Sequence, residues 1–99
     1  VPGSDQRILV YMTGAVPSPG QHILTLPKGR ALGVYEAILI TGGLGQFADE
    51  QKAHLLRTGE DGLKYRIPVN LRLIKQGKEL DPPIGNSDIV VVPEKVFGF

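Results

Sequence analysis

The stretch Ile89–Pro93, IVVVP, is a continuous run of β-branched residues that ends in proline. An unbroken apolar run of this length is typical of a strand shielded from solvent inside a sheet. Proline ends the run because it has no amide hydrogen to give to a strand ladder. We therefore predict a buried central strand here, and this strand decides how the rest of the sequence is interpreted.

Four further segments have the composition of strands, and they fall into two pairs. The first pair is joined by the proline- and glycine-rich segment GAVPSPG, and the second by the Asp-Gly turn TGEDG. Pro68 lies within the last of these strands and predicts that this strand is an edge strand or ends early, since proline cannot donate to a neighbour. The predicted hairpins are therefore Arg7–Thr13 with Gln21–Leu26, and Ala53–Arg57 with Lys64–Asn70.

Two segments have helical spacing. Ala31, Val34, Tyr35 and Ile38 follow the i, i+3, i+4, i+7 pattern, and the glycines at 42 and 43 end the helix. We predict a short helix over Val34–Thr41, whose apolar C-terminal half packs against a sheet. A single helical turn is predicted within Leu71–Gly77, with Leu71 and Ile74 facing inward.

The order of elements is strand, strand, helix, strand, strand, short helix, strand. This is the order of a β-grasp, an α+β fold in which a mixed sheet of about five strands packs on one short helix and the last strand pairs with the first. An α+β roll of another topology remains an alternative. The 99 residues predict one domain over 1–99. The start VPGSDQ lacks methionine, so we expect a domain excised from a longer protein.

Composition excludes several classes of function. The chain contains no cysteine, which excludes disulfides and thiolate chemistry. Its formal net charge is +1, with no basic run, which argues against a nucleic-acid partner. Its longest apolar runs are far shorter than the roughly 20 residues needed to cross a bilayer, so we do not expect this domain to span a membrane.

No motif predicts catalysis, a cofactor or a metal. The segment Gly43–Ala48, GLGQFA, has the text of a dinucleotide-binding fingerprint, but it follows a helix instead of opening one. His22 and His54 are far apart and have no third ligand at a metal-site spacing. We therefore predict a domain that is not an enzyme and that binds no cofactor or metal.

Tyr11 and Arg57 are the candidates for ligand binding, and a second residue of the chain shares the interpretation of each. Arg57 ends an apolar strand and Asp88 precedes the buried one, so pairing or capping is the favoured role for both. The ring of Tyr11 could stack on a sugar, as could that of Tyr35, for which core packing is favoured. The candidate binding residues are thus Tyr11 and Arg57, and the site as a whole is not defined by the sequence.

The ordered motifs of the chain resemble the soluble-ligand-binding β-grasp domain, particularly as it occurs in bacterial polysaccharide export proteins. The resemblance runs from about Ile8 to Glu94 and departs from the family pattern at three positions, where Gly33 replaces a Thr or Ser helix cap, Asn70 an acid, and Ser87 a glycine. The matching segments are Val10–Leu24 (through Gly14, Val16, Pro19 and Gly20), Tyr35–Leu44 (through Glu36, Ala37, Ile38, Gly42 and Gly43) with Ala48, Leu55–Arg57, Val69–Gly77 and Ile84–Glu94.

The resemblance implies a binding or assembly module, without catalytic residues, of a periplasmic protein associated with the outer membrane. Its implied partners are a capsular or exopolysaccharide and other subunits of an export complex, in which the full-length protein forms a homo-oligomer. Two alternatives stay open at this point. One is a purely structural interaction domain that uses an exposed strand edge. The other is a cofactor-handling β-grasp of the cobalamin-binding kind.

Overall fold

The computed structural model describes residues 6–96; the first five residues and the terminal aromatics Phe97 and Phe99 lie outside this range. The protein is a small α+β domain with a mixed five-stranded sheet and two short helices. The elements are β1 (Arg7–Gly14), β2 (Gly20–Thr25), α1 (Val34–Ile40), β3 (His54–Thr58), β4 (Lys64–Pro68), α2 (Leu71–Lys75) and β5 (Ile89–Val92). Within residues 6–96, neither helix has the length and apolarity needed to cross a membrane.

The sheet has the strand order β2-β1-β5-β3-β4. The last strand, β5, lies in the middle, parallel to β1 and antiparallel to β3. Both predicted hairpins form, since β2 pairs with β1 and β4 pairs with β3, each in the antiparallel sense. The central position of β5 and the edge position of the Pro68 strand are both confirmed.

One face of the sheet carries the core. Alternate residues of β1 and β5 are buried, among them Val10, Met12, Val90 and Val92, whose side chains are at most 2% exposed. The helices complete the same cluster through Val34, Ala37 and Ile38 of α1 and Leu71 of α2. Each Val, Leu, Ile or Met side chain buried here contributes on the order of 1.5–3 kcal/mol to stability.

Two expectations about burial are met in part. The C-terminal half of α1 joins the core through Ala37 and Ile38, but Leu39 and Ile40 are 54% and 62% exposed. Strand β5 is fully buried on one face only, and its other face, with Ile89 and Val91, is half-buried. In both cases a continuous apolar run does not distinguish an element covered on two sides from one covered on a single side.

The path of the loop between β1 and β2 requires a glycine at its start. Gly14 has φ +95°, and a Cβ at this position would overlap the carbonyl oxygen of Val92 on β5. The next residue, Ala15, donates its amide to that same oxygen at 2.7 Å and accepts from the Gly45 amide at 2.8 Å. The loop is therefore fastened both to the central strand and to the segment after α1.

Helix α1 takes its N-terminal cap from a distant loop. Asp81 accepts hydrogen bonds from the amides of Tyr35 (2.8 Å) and Glu36 (3.2 Å), two of the donors that a helix leaves unsatisfied at its start. A Cβ on Gly33 would overlap the Asp81 carboxylate. Glycine at the cap position thus makes room for the group that caps the helix in its place.

Candidate functional site

Arg57 and Asp88 form an ion pair at the end of the sheet core. Asp88 is 1% exposed, and its Oδ1 and Oδ2 accept from Arg57 Nε at 3.1 Å and Nη2 at 2.6 Å. This two-point geometry is the strongest that an arginine makes with a carboxylate. The contact raises the pKa of the Arg57 guanidinium above its ordinary value, chiefly through the hydrogen bond to Asp88.

The ion pair is connected to its surroundings on three sides. Asp88 Oδ2 also accepts from the Gly85 amide at 2.7 Å. The Asp88 carbonyl accepts from the Tyr11 amide at 3.0 Å, and Arg57 Nη2 donates to the Pro83 carbonyl at 3.0 Å. The pair therefore joins β1, β3 and the loop before β5, which is the structural role favoured on sequence grounds. The role of Arg57 in binding a ligand remains a prediction.

Ser87, beside this pair, has φ +68°, the left-handed region that glycine favours. Its amide donates to the Leu9 carbonyl at 2.6 Å, which holds the turn against β1. The serine that replaces a glycine in the resemblance thus adopts a backbone conformation suited to glycine.

Tyr11 lies on the opposite face of the sheet from the core. Its neighbours Val10 and Met12 point into the core, so the alternation of a strand directs Tyr11 to the other side. Its side chain is 37% exposed. Cross-strand pairing places it beside Gln21 of β2 and Ile89 of β5. We call this side of the sheet the open face.

The open face is formed by alternate residues of all five strands and is apolar at its centre. Leu9, Leu56, Ile89 and Val91 are half-buried there, and Ile23 is 68% exposed. The strand residues of this face, in spatial order, are Gln21, Ile23 and Thr25; Arg7, Leu9, Tyr11 and Thr13; Ile89 and Val91; His54, Leu56 and Thr58; and Lys64, Arg66 and Pro68.

The charged strand residues of the open face are all cations. Arg7 lies on β1, and Lys64 and Arg66 lie on the edge strand β4, all three exposed. None of the strand residues of this face is aspartate or glutamate. The arrangement of a central tyrosine ring, an apolar strip and outlying cations suits an extended ligand that presents ring faces and negative charge.

The two predicted binding residues do not form one site. Tyr11 and Arg57 both contact Asp88, but Tyr11 does so only through its backbone amide. Strand alternation puts the Arg57 side chain on the core side, since Leu55 is fully buried and Leu56 lies on the open face. Tyr35 packs partly buried against the core, as favoured from the sequence.

The remaining sequence candidates stay apart. His22 lies on β2 and His54 on β3, two strands separated by β1 and β5. Within residues 6–96, no three His, Cys, Asp or Glu side chains are close enough to hold a metal ion. Gly43–Ala48 follows the C-terminus of α1, where Gly42 and Gly43 adopt positive φ, so the segment lacks the strand-to-helix context of a dinucleotide site.

Sequence reasoning did not identify Arg7 and Arg66 as members of a site with Tyr11. Each shares the period-2 face of its own strand, Arg7 with Tyr11 and Arg66 with Lys64, and this spacing was the available signal. Their relation across the sheet becomes visible only when strand order and register are known. Tyr11 and Arg66 are three strand spacings apart, or about 14 Å.

Comparison with protein-family models found no match, and neither did comparison with curated protein sequences.

Proposed function

We propose that the chain is a soluble-ligand-binding β-grasp domain. The strand order β2-β1-β5-β3-β4, with a parallel pair at its centre and a hairpin on each side, supports the β-grasp assignment. The residues that carry the resemblance also occupy structurally demanding places. Gly14 and Gly20 bound the first hairpin loop with positive φ, and Arg57 pairs with Asp88.

The function that we propose is that of a non-catalytic binding and assembly module in a periplasmic, outer-membrane-associated polysaccharide export protein. The observation that carries the binding role is Tyr11, a partly exposed aromatic ring at the centre of a sheet face that has cations and no strand carboxylates. The Cα atoms of Arg7 and Arg66 lie about 13–14 Å from that of Tyr11, as strand rise and spacing require. Such a distance favours an oligosaccharide over a single sugar, and an acidic one over a neutral one.

Amide chemical-shift mapping tests this proposal. Acidic oligosaccharides such as oligogalacturonate, added to the labelled chain at millimolar concentration, should shift the amides of Leu9, Tyr11 and Ile89. Neutral maltooligosaccharides of equal length should shift them less, because they lack the charge that Arg7 and Arg66 attract. No shift on the open face with either ligand would refute glycan binding by this face and leave it only an assembly role.

A purely structural assembly role is the second candidate. It is favoured by β4, an edge strand whose outer side pairs with no strand of the sheet. Edge strands recruit other chains through unpaired backbone groups, although the exposed Lys64 and Arg66 discourage indiscriminate pairing. Sedimentation of the isolated domain at high concentration tests this role. A strictly monomeric domain would show that assembly does not depend on this edge alone.

A further inference from the structure

A polar cleft of about 360 Å³ lies beside α2, and none of its lining residues is a strand residue of the open face. One wall is formed by Arg72 and Lys75 of α2 with its C-cap residue Gln76, which the i, i+3, i+4 spacing brings together. The loop Asp49–Gln51 and the side chain of Lys95 form the others. The volume is at the small end of the range for ligand sites and suits a single small molecule.

Backbone hydrogen bonds hold the walls of the cleft in place. The Glu50 carbonyl accepts from the Leu71 amide at 2.8 Å, which joins the loop to the start of α2. The Asp49 amide donates to the Pro93 carbonyl at 2.8 Å, and the Lys95 amide donates to the Phe47 carbonyl at 2.8 Å. Asn70 caps α2 by accepting from the Leu73 amide at 3.2 Å. The side chains of the cleft therefore extend from a fastened backbone.

Glu50 has an unmet hydrogen-bonding requirement in this cleft. Its Oε2 is shielded from solvent and accepts no hydrogen bond from any residue in 6–96. The ammonium of Lys75 forms an ion pair with it at 3.7 Å, which is too long for a direct hydrogen bond. Glu50 Oε2 thus lacks the direct hydrogen bond that buried polar atoms normally have, and within residues 6–96 its ion-pair partner is the exposed Lys75.

Two of the three cations of the cleft, by contrast, have no anionic partner within residues 6–96. Within residues 6–96, Arg72 and Lys95 form no ion pair, whereas Lys75 is already engaged with Glu50. The cleft has three cations against the two carboxylates Asp49 and Glu50, which leaves one positive charge in excess. It therefore offers acceptor capacity at Glu50 and donor capacity at Arg72 and Lys95.

We infer that this cleft binds a small hydroxy acid of the sugar-acid class, with a hydroxyl donating to the carboxylate of Glu50, whose side chain is 27% exposed, and the ligand carboxylate accepting from Arg72 and Lys95. A neutral sugar meets the first requirement alone and inorganic sulfate, which has no hydroxyl at neutral pH, the second alone. The choice of a sugar acid among hydroxy acids rests on the proposed function, in which acidic glycans are the ligand.

The test is a titration of the labelled chain with glucuronate, glucose and inorganic sulfate, followed through the amides of Gln51 and Gln76. Glucuronate should bind at least tenfold more tightly than glucose or sulfate. Arg72→Gln should weaken glucuronate binding about tenfold, as expected for the loss of a charged hydrogen bond. Lys78→Gln, which removes an exposed lysine just beyond α2, is the matched control and should change binding less than twofold.

A second variant tests the acceptor. Glu50→Gln keeps the size of the side chain and its backbone contacts but removes the carboxylate charge and one of its two acceptor oxygens, so the preference for glucuronate over sulfate should fall. Thermal unfolding checks that both variants fold. Equal binding of all three ligands, or no effect of Arg72→Gln, would overturn the inference.

The two binding proposals fail separately. Shifts on the open face with oligogalacturonate, but none at Gln51 and Gln76 with glucuronate, would overturn the cleft and leave the proposed function standing. Cleft shifts with glucuronate, but no open-face shifts with the oligomer, would support the cleft and refute the open face as the glycan surface.

Discussion

Two features of position 14 require glycine, namely its positive φ and its close approach to the backbone of β5. Gly14→Ala should therefore destabilise the fold by about 2 kcal/mol or more, since neither the strained backbone nor the overlapped Val92 carbonyl can relax cheaply. Gly20 is the matched control, because it has φ +113° but no atom within 4 Å of an added Cβ. Gly20→Ala should cost only about 1–2 kcal/mol from φ strain. Urea unfolding measures both, and equal losses would contradict the close-approach argument.

Arg57 and Asp88 illustrate a different dependence, in which each residue requires the other. Arg57→Ala leaves a buried carboxylate with the Gly85 amide as its remaining side-chain partner, so we expect a loss of about 2–4 kcal/mol. The double variant with Asp88→Ala should lose less than the sum of the single variants, with a coupling energy of about 1.5–3 kcal/mol. Urea denaturation of the four proteins measures the cycle. Additive losses would show that the pair does not act as a unit.

Helix α1 depends on a cap supplied by a residue 45 positions or more away in sequence. Asp81→Ala should cost about 1 kcal/mol, the usual loss for a removed cap. Gly33→Ser should also destabilise the protein, since its Cβ would overlap the Asp81 carboxylate. In the double variant the serine gains both the space and the role of the cap, so the two losses should partly cancel. Purely additive losses in thermal unfolding would exclude this exchange.

The turn between β3 and β4 is stabilised by Asp61, which accepts from the Tyr65 hydroxyl and from the Leu63 amide. The Tyr65 hydrogen bond is the main reason that the pKa of Asp61 lies below its ordinary value, and the same bond raises the pKa of Tyr65. A carboxyl pKa lowered by folding stabilises the protein above the unfolded value of about 3.9. That contribution is lost as the pH falls through the folded pKa.

Tyr65→Phe removes the hydroxyl and should therefore move the Asp61 pKa up towards its ordinary value and weaken the acid dependence of stability. Carboxyl carbon shifts followed through a pH titration measure the change. Asp61→Asn is the reciprocal variant, and it should lower the Tyr65 pKa as seen by ultraviolet absorbance. An Asp61 pKa that is the same with and without the Tyr65 hydroxyl would contradict the assignment.

Across the whole molecule, the features predicted from the sequence are those encoded by neighbouring residues. The apolar run of β5, the glycines that end α1 and the Asp-Gly turn each act within a few positions, and each is confirmed. The features that were missed depend on distant segments. Exposure of Leu39 and Ile40 depends on how much of α1 the sheet covers, and the cap of α1 comes from a loop that follows α2.

The same distinction applies to the candidate sites. Tyr11 could be identified from the sequence because an aromatic ring is by itself a candidate for stacking on a ligand. Arg7 and Arg66 are recognised as members of the same surface only when the register across β1, β5, β3 and β4 is known. The cleft beside α2 likewise combines three segments that are 19 or more positions apart in sequence. A site built from such contacts has no local spacing by which a sequence would disclose it.

Calorimetric titration of oligogalacturonate into matched tyrosine variants tests most directly whether the open face binds glycan. Tyr11 and Tyr65 are 37% and 49% exposed but lie on opposite faces of the sheet. Tyr11→Ala should weaken binding about tenfold or more, the usual loss for a ring that stacks on its ligand, whereas Tyr11→Phe and Tyr65→Ala should leave it within about twofold. Equal weakening by Tyr11→Ala and Tyr65→Ala, or undiminished binding by Tyr11→Ala, would contradict the account.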